Sequence, residues 1–484
     1  MQKKKSRFLI KRQNHLRGIM YIEIDRSLRN PIRNQLYEKL LERILKGELA
    51  PGTKMPSSRH LHEKNNISRN IIIEVYEQLS SEGYLEGRPG KGTWVAESVI
   101  LGDSFRSLEK TEIVKVKKEK KKNIISFSCG IPDLKHFPVK KWKRSLDYAW
   151  SLADDEVLSY PPVAGRMELR TEVCDYLLLV KGIRVRPECV IITSGTSETL
   201  LLIASHFSHF SNELIIEDPV VDFAADIFKQ SGYKLKEITV DESGIDTSAL
   251  PAKPAGKLIF VSPSHQFPTG CVLSAPRRVK LVEYAVRNGI FIIEDDYDSE
   301  FRYEGYPLRS LFLMNPEVVM HAGTFSKNMF PSMRMGYLVV PERIADDILK
   351  TKARLMMRTP SHIQLAAAHF MRSGAFTRNI ARMKKIYKRK HGLISQKLNS
   401  VFGNDIVINS NAAGMHLNIV HRKHKFTIEE CSCFEEFGVE ADCEAEYSLS
   451  GKKGGLLLGF GSVSEKEIPE GILRLKKAVD SIIE

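Results

Sequence analysis

The sequence predicts a two-part α/β chain: a helix–helix–turn–helix–hairpin head, then a body built on a mostly parallel sheet. Three observations carry this. Met1 to Asn123 holds 27 Lys and Arg against 15 Asp and Glu, whereas the rest of the 484 residues holds 46 against 44, so a basic head precedes a near-neutral body. Apolar residues between Pro31 and Leu79 recur at helical spacing and give way to a glycine-rich hairpin. Beyond residue 123, short and nearly continuous apolar runs alternate with helical patterns, as strands buried on both faces do.

Residues 1–20 read as a basic arm, and Met20 directly precedes the first patterned segment. From about Pro31 to Lys46, Ile32, Leu36, Leu40 and Ile44 fall on one helical face, with Pro31 suited to a first turn and Gly47 to a stop. Pro51-Gly52 is a turn. Ser57 or Ser58 can cap a short helix through Glu63, and Asn65-Asn66 make a tight connection. Ser68 then caps a second helix to about Ser81, with Ile71, Val75 and Leu79 on one face. Tyr84-Leu85-Glu86 and Thr93-Trp94-Val95 flank Gly87-Arg88-Pro89-Gly90-Lys91-Gly92 as a hairpin. That order is a winged helix-turn-helix, placed at 21–97.

Residues 98–123 are charged, end in Lys117-Lys118-Glu119-Lys120-Lys121-Lys122, and read as a linker. The body, 124–484, has strand-like runs at Val190–Thr193, Leu214–Ile216, Leu258–Val261, Ile290–Ile293 and Val318–Met320. Polar motifs follow most of them, and ligands in such sheets bind beyond the carboxyl ends of the strands. The seven cysteines are odd in number and thinly spread, which suits reduced thiols, a cytoplasmic location and no metal site. No apolar run reaches the ~18–20 residues of a membrane span, and the N-terminus lacks the apolar stretch of a signal peptide.

In a helix-turn-helix the start of the second helix meets base edges; here that is Ser68, Arg69 and Asn70. Arginine pairs with guanine and asparagine with adenine. Arg59 can hold a phosphate, and Arg88 and Lys91 on the hairpin can reach the backbone or minor groove. Leu49-Ala50-Pro51-Gly52, Met55-Pro56-Ser57-Ser58-Arg59, Ser68-Arg69-Asn70 and the hairpin closely resemble the GntR-type winged helix. Ile71 stands where that family usually has threonine. The expected partner is a double-stranded DNA operator.

The body carries a second constellation. A pyridoxal phosphate site needs an amine for the aldehyde, an acid against the pyridine nitrogen, a donor for the ring oxygen and a cradle for the phosphate. Lys327, in Gly323-Thr324-Phe325-Ser326-Lys327, offers the amine. Asp295 and Tyr297, in Glu294-Asp295-Asp296-Tyr297-Asp298, offer the acid and the donor. Gly195, Thr196 and Ser197 lie between a strand and a helix, where free N–H groups await an anion. Thr324, Ser326 and Arg334 complete the cradle.

Together with Ser264-His265-Gln266-Phe267-Pro268-Thr269-Gly270, these stretches make 124–484 resemble the fold-type I aminotransferases, and the whole chain resembles the MocR-type branch of GntR regulators. The resemblance implies pyridoxal 5′-phosphate as cofactor, a small C-terminal subdomain, and a homodimer in which Tyr160 reaches the neighbouring subunit's phosphate. It implies a transcription regulator that senses a small amine or the cofactor itself, with a working aminotransferase as the alternative. Three departures bear on this. Gln266 and Phe267 stand where aminotransferases carry a single asparagine. Val221 takes the place of a stacking aromatic, with Phe223 as a substitute. No arginine lies between Gly454 and Phe460 to hold a substrate carboxylate, which leaves that role to Arg358 or another arginine.

Overall fold

Apolar periodicity places three helices and a hairpin in the head, and the computed structural model, which describes residues 21–98, 124–306, 308–409, 413–451 and 454–483, contains them. The basic arm 1–20 and the linker 98–123, save Ser98, lie outside the described residues. Contacts divide the chain into two units, Met1–Glu119 and Lys120–Glu484.

In the head, α1 (Ile32–Leu45), α2 (Ser58–Asn65) and α3 (Arg69–Ser81) precede strands β1 (Leu85–Arg88) and β2 (Gly92–Val95). Leu36, Leu40 and Ile44 of α1 pack with Leu61, Ile67, Ile72, Val75, Leu79, Leu85 and Val95 into one core. Ser57 caps α2, accepting from the His60 N–H. Helix α2 runs two residues past the expected Glu63 and stops where Asn66 turns left-handed (φ 52°). Two expectations are corrected. Ser68 holds the position before α3 but its side chain makes no capping bond. The fully buried residue on the first turn of α3 is Ile72, while Ile71 is only partly buried. Val75, Tyr76 and Leu79 set the helix phase, and 3.6-residue spacing back from them favours 72 over 71.

The body opens with β3 (Ile125–Ser126). Its main sheet comprises β4 (Val190–Thr193), β5 (Glu213–Asp218), β6 (Lys234–Asp241), β7 (Gly244–Ile245), β8 (Leu258–Val261), β9 (Phe291–Asp296), β10 (Val319–Thr324) and β11 (Gly336–Val339). The order is β4-β11-β10-β9-β8-β5-β6-β7. From β10 to β6 all pairings are parallel; β11 runs antiparallel between β4 and β10. Strand alternation splits the apolar residues between two layers. Ile191, Ile216, Phe260 and Ile293 enter one core, and Ile192, Ile215, Ile259 and Ile292 the other. The C-terminal part adds β12 (Ile406–Asn409), β13 (His416–His421), β14 (Val439–Glu440), β15 (Asp442–Cys443) and β16 (Leu456–Gly459). Of these, β12-β13-β16-β15 form an antiparallel sheet, and β14 pairs with β3. All seven cysteines are free. Among the described residues no helix is long and apolar enough to cross a membrane.

Candidate functional site

The carboxyl ends of β9 and β10 and the N-terminus of the helix Thr196–Phe207 bound a cavity of about 420 Å³. Its wall includes Thr196, Ser197, Asp295, Tyr297, Thr324, Ser326, Lys327 and Arg334. Residues far apart in sequence are thus brought together because the sheet aligns the ends of its strands.

Lys327 follows β10 and donates from Nζ to the Gly130 carbonyl at 2.5 Å. Burial lowers its pKa, and Asp298, Cys129 and Asp295 oppose that shift. Gly130 takes a φ of +81° that other residues adopt only with strain, and a Cβ there would lie 2.9 Å from Nζ and push the amine aside. Gly130 carries no motif in the sequence that would mark it; its role comes from the fold bringing it to Lys327.

The acidic run divides its labour. Glu294 turns inward, accepting from the Leu311 N–H at 2.8 Å and meeting His321 at 3.2 Å. Asp296 pairs with Lys181 at 2.6 Å. Asp298 faces His265 at 3.1 Å. Asp295 alone is buried without a hydrogen-bond partner among the described residues, and burial pushes its carboxyl pKa up to about 7. A buried acid without a donor is costly, so this position asks for a protonated ring nitrogen. Tyr297 lines the cavity, but its hydroxyl donates to the His265 carbonyl at 2.8 Å. In this arrangement that proton is not directed at a ring oxygen, which differs from the role expected of it.

The side chain of Arg334, a residue in left-handed conformation (φ 45°), has no hydrogen-bond or ion-pair partner among the described residues. Its guanidinium lies 3.7 Å from where a Cβ on Gly195 (φ +113°) would stand. An unpaired cation thus faces the N-terminus of the helix Thr196–Phe207, and the two together suit a phosphate. The amine, the partnerless acid and the anion cradle fit pyridoxal 5′-phosphate.

Val221 and Phe223 both line the cavity, as does Phe267. Gln266 does not: its amide donates to the Pro219 carbonyl and its oxygen accepts from Thr269, so it shapes the loop. Arg358 is outside the lining, and its Nη1 is buried with no partner among the described residues. Tyr160 is 85 % exposed and does not reach the cavity of its own chain. The sequence reading also passed over His416, Cys129, Met415 and Tyr447, which close the cavity from the C-terminal part. His265, Asp298 and His416 place ligand atoms within 4.8 Å of one another, and burial holds the His416 pKa well below its usual value.

In the head, Ser68, Arg69 and Asn70 stand exposed at the start of α3. Arg59 is exposed and 3.3 Å from Glu63. The two hairpin cations differ. Lys91 is exposed on the turn between β1 and β2, and its side chain has no partner among the described residues. Arg88 is bound at 2.5 Å by Glu86 and lies 4.8 Å from the Trp94 ring centroid, so its charge is largely committed within the hairpin.

The aminotransferase class I and II family matches residues 122–446, and the bacterial regulatory proteins of the gntR family match residues 32–95. The probable rhizopine catabolism regulatory protein MocR of Rhizobium meliloti is 30% identical over 471 residues, covering 94% of this chain and 95% of that one. The pyridoxine biosynthesis transcriptional regulator PdxR of Corynebacterium glutamicum is 30% identical over 453 residues, covering 93% and 96%. Among solved structures, an archaeal alanine:glyoxylate aminotransferase is 26% identical with a TM-score of 0.69, covering 74% of this chain and 91% of that one.

Proposed function

This chain belongs to the MocR-type branch of the GntR transcription regulators, and from that premise we propose that its body senses a small amine, or pyridoxal 5′-phosphate itself, through Lys327. The winged helix binds DNA, and the state of the cavity would alter that binding. One observation supports this above the others: a buried amine, a partnerless buried acid and a partnerless arginine at a helix N-terminus meet in one cavity.

Pyridoxal 5′-phosphate, when bound, supplies an aldehyde carbon that amines attack and a ring that withdraws electrons. The chain's own residues prepare for it. Burial weakens the hold of the Lys327 ammonium on its proton, which favours the nucleophilic free amine. The Gly130 carbonyl orients that amine. Asp295 holds a cation or a proton at the end of β9, and Arg334 with Thr196 and Ser197 anchors an anion. Lys327 and Arg334 are the only lysine or arginine side chains on this wall among the described residues, and both are assigned to the cofactor. A substrate carboxylate would enter with no cation left to receive it, which favours sensing over transamination.

The protein with added cofactor should show a visible absorption band that borohydride bleaches and that Lys327→Ala abolishes. Operator affinity should respond to an amine in the wild type and not in Lys327→Ala. A wild-type protein that stays colourless with excess cofactor would defeat this reading, and rapid multiple turnover of amino and keto acids would make the protein an enzyme instead.

A further inference from the structure

Asp295 faces the cofactor cavity, and its neighbour Asp296 lines a second one, of about 310 Å³, within the size range of small-molecule sites. Its wall carries four cations, Lys181, Arg302, Arg309 and Lys384, against two acids, Asp296 and Glu300. At the deep end one lysine serves both acids, and Asp296 Oδ1 and Glu300 Oε2 keep no hydrogen-bond partner among the described residues. Lys181 Nζ lies 2.6 Å from Asp296, 2.8 Å from Glu300 and 2.6 Å from Ser299 Oγ, which uses its three donors. These side chains are nine-tenths or more buried, at 8%, 5% and 3% exposure for Lys181, Asp296 and Glu300.

The other three cations have no such match. Arg302 Nε and Nη1 are shut away from solvent without a hydrogen-bond partner among the described residues. Among those residues, no carboxylate pairs with Arg302, Arg309 or Lys384. A guanidinium held in a low-dielectric wall without an anion is unfavourable, and its planar fork suits carboxylate or phosphate oxygens. The wall's surplus is two positive charges.

We propose that this cavity is a second ligand site, for a small organic dianion such as a phosphate monoester or a dicarboxylate, gripped by Arg302, Arg309 and Lys384. No residue lines both this cavity and the Lys327 cavity; strand β9 with the segment after it, and the loop carrying Ser264 and Phe267, contribute different side chains to each.

The test is calorimetric titration of the full chain, saturated with pyridoxal 5′-phosphate, using glycerol 3-phosphate, inorganic phosphate and succinate. Saturable binding of at least one probe is expected, with one site per chain. Arg302→Gln should weaken it about tenfold, the loss of a charge-assisted contact, and Arg309→Ala and Lys384→Ala severalfold. Phosphate probes binding alone would identify a phosphate site, and succinate alone a dicarboxylate site. If Arg302→Gln fails to fold, the two other variants, at less enclosed positions, carry the test. Lys327→Ala, which removes the visible band, should leave this binding intact. No saturable binding by any probe, equal affinity in the cavity variants, or loss in Lys327→Ala alone would overturn the proposal.

Discussion

Asp295 is the residue whose chemistry depends most on whether the cavity is filled. Its pKa rises from 3.8 to about 7 in the fold, with burial as the largest cause and the charges of Asp296 and Asp298 adding to it. Between those values the native state keeps a proton that the unfolded chain has released, so this group's contribution to stability falls as pH rises from about 4 to 7. Asp295→Asn removes that penalty. The cofactor-free variant should therefore be more stable than the cofactor-free wild type at pH 8, by a few kcal/mol, and no different near pH 4. Urea denaturation at the two pH values measures this, and a variant less stable at pH 8 would mean that the acid has a partner in the fold. The same variant should bind pyridoxal 5′-phosphate more weakly, because the ring nitrogen loses its anion. The types and spacing of Lys327, Asp295 and Arg334 were legible in the sequence because the cofactor's chemistry demands them. Gly130 and the His265–Asp298 pair were not, because their roles arise only when segments distant in the chain are folded against Lys327 and Tyr297.

At the scale of elements, the proposed DNA reading assigns α3 and the hairpin different work. Arg69 is exposed at the start of the helix proposed to enter the groove, whereas Lys91 is an exposed charge on the turn. Arg69→Ala should weaken binding to the operator more than to random DNA. Lys91→Ala should weaken both alike and reduce the salt slope by about one. Gel-shift titrations at several salt concentrations separate the two, and equal losses would remove Arg69 as a reader of bases. Arg88→Ala should cost less DNA affinity than Lys91→Ala, since Glu86 and Trp94 already engage its guanidinium. The same helix shows where sequence periodicity falls short. Three consecutive isoleucines, Ile71 to Ile73, leave the phase of α3 open, and packing against α1 settles it on Ile72. Ile72→Ala should destabilise the head by about 2–5 kcal/mol and Ile71→Ala by much less, as chemical denaturation would report. In the body, buried strands such as β8 were plain from their continuous apolar runs. Strand β6 was missed because it is half exposed, and β11 because its place between β4 and β10 is set by pairing partners distant in sequence.

At the scale of the whole molecule, the position of Tyr160 argues that one chain does not suffice for the site. Tyr160 is 85 % exposed and lies off its own cavity, whereas the proposed phosphate contact would place it close to Arg334. A two-fold dimer in which each Tyr160 serves the other subunit's cavity would reconcile the two, and two-fold dimers are the commonest symmetric assembly. Mixing variants distinguishes this from a self-contained site. Lys327→Ala chains lack the amine, and Tyr160→Ala chains are expected to hold the cofactor weakly. In a mixed dimer with shared sites, the Lys327 of one chain meets the Tyr160 of the other, which rebuilds one complete site and leaves the second lacking both. Equal amounts of the two variants, unfolded and refolded together, should then regain about a quarter of the tight, borohydride-sensitive sites. If each cavity used its own Tyr160, no mixture would contain a complete site and none would be regained. Recovery would also give the head a route to the cavity's state: two winged helices on one dimer bind an operator together, so a ligand that alters the dimer changes DNA affinity by the coupling free energy, typically about 1–3 kcal/mol.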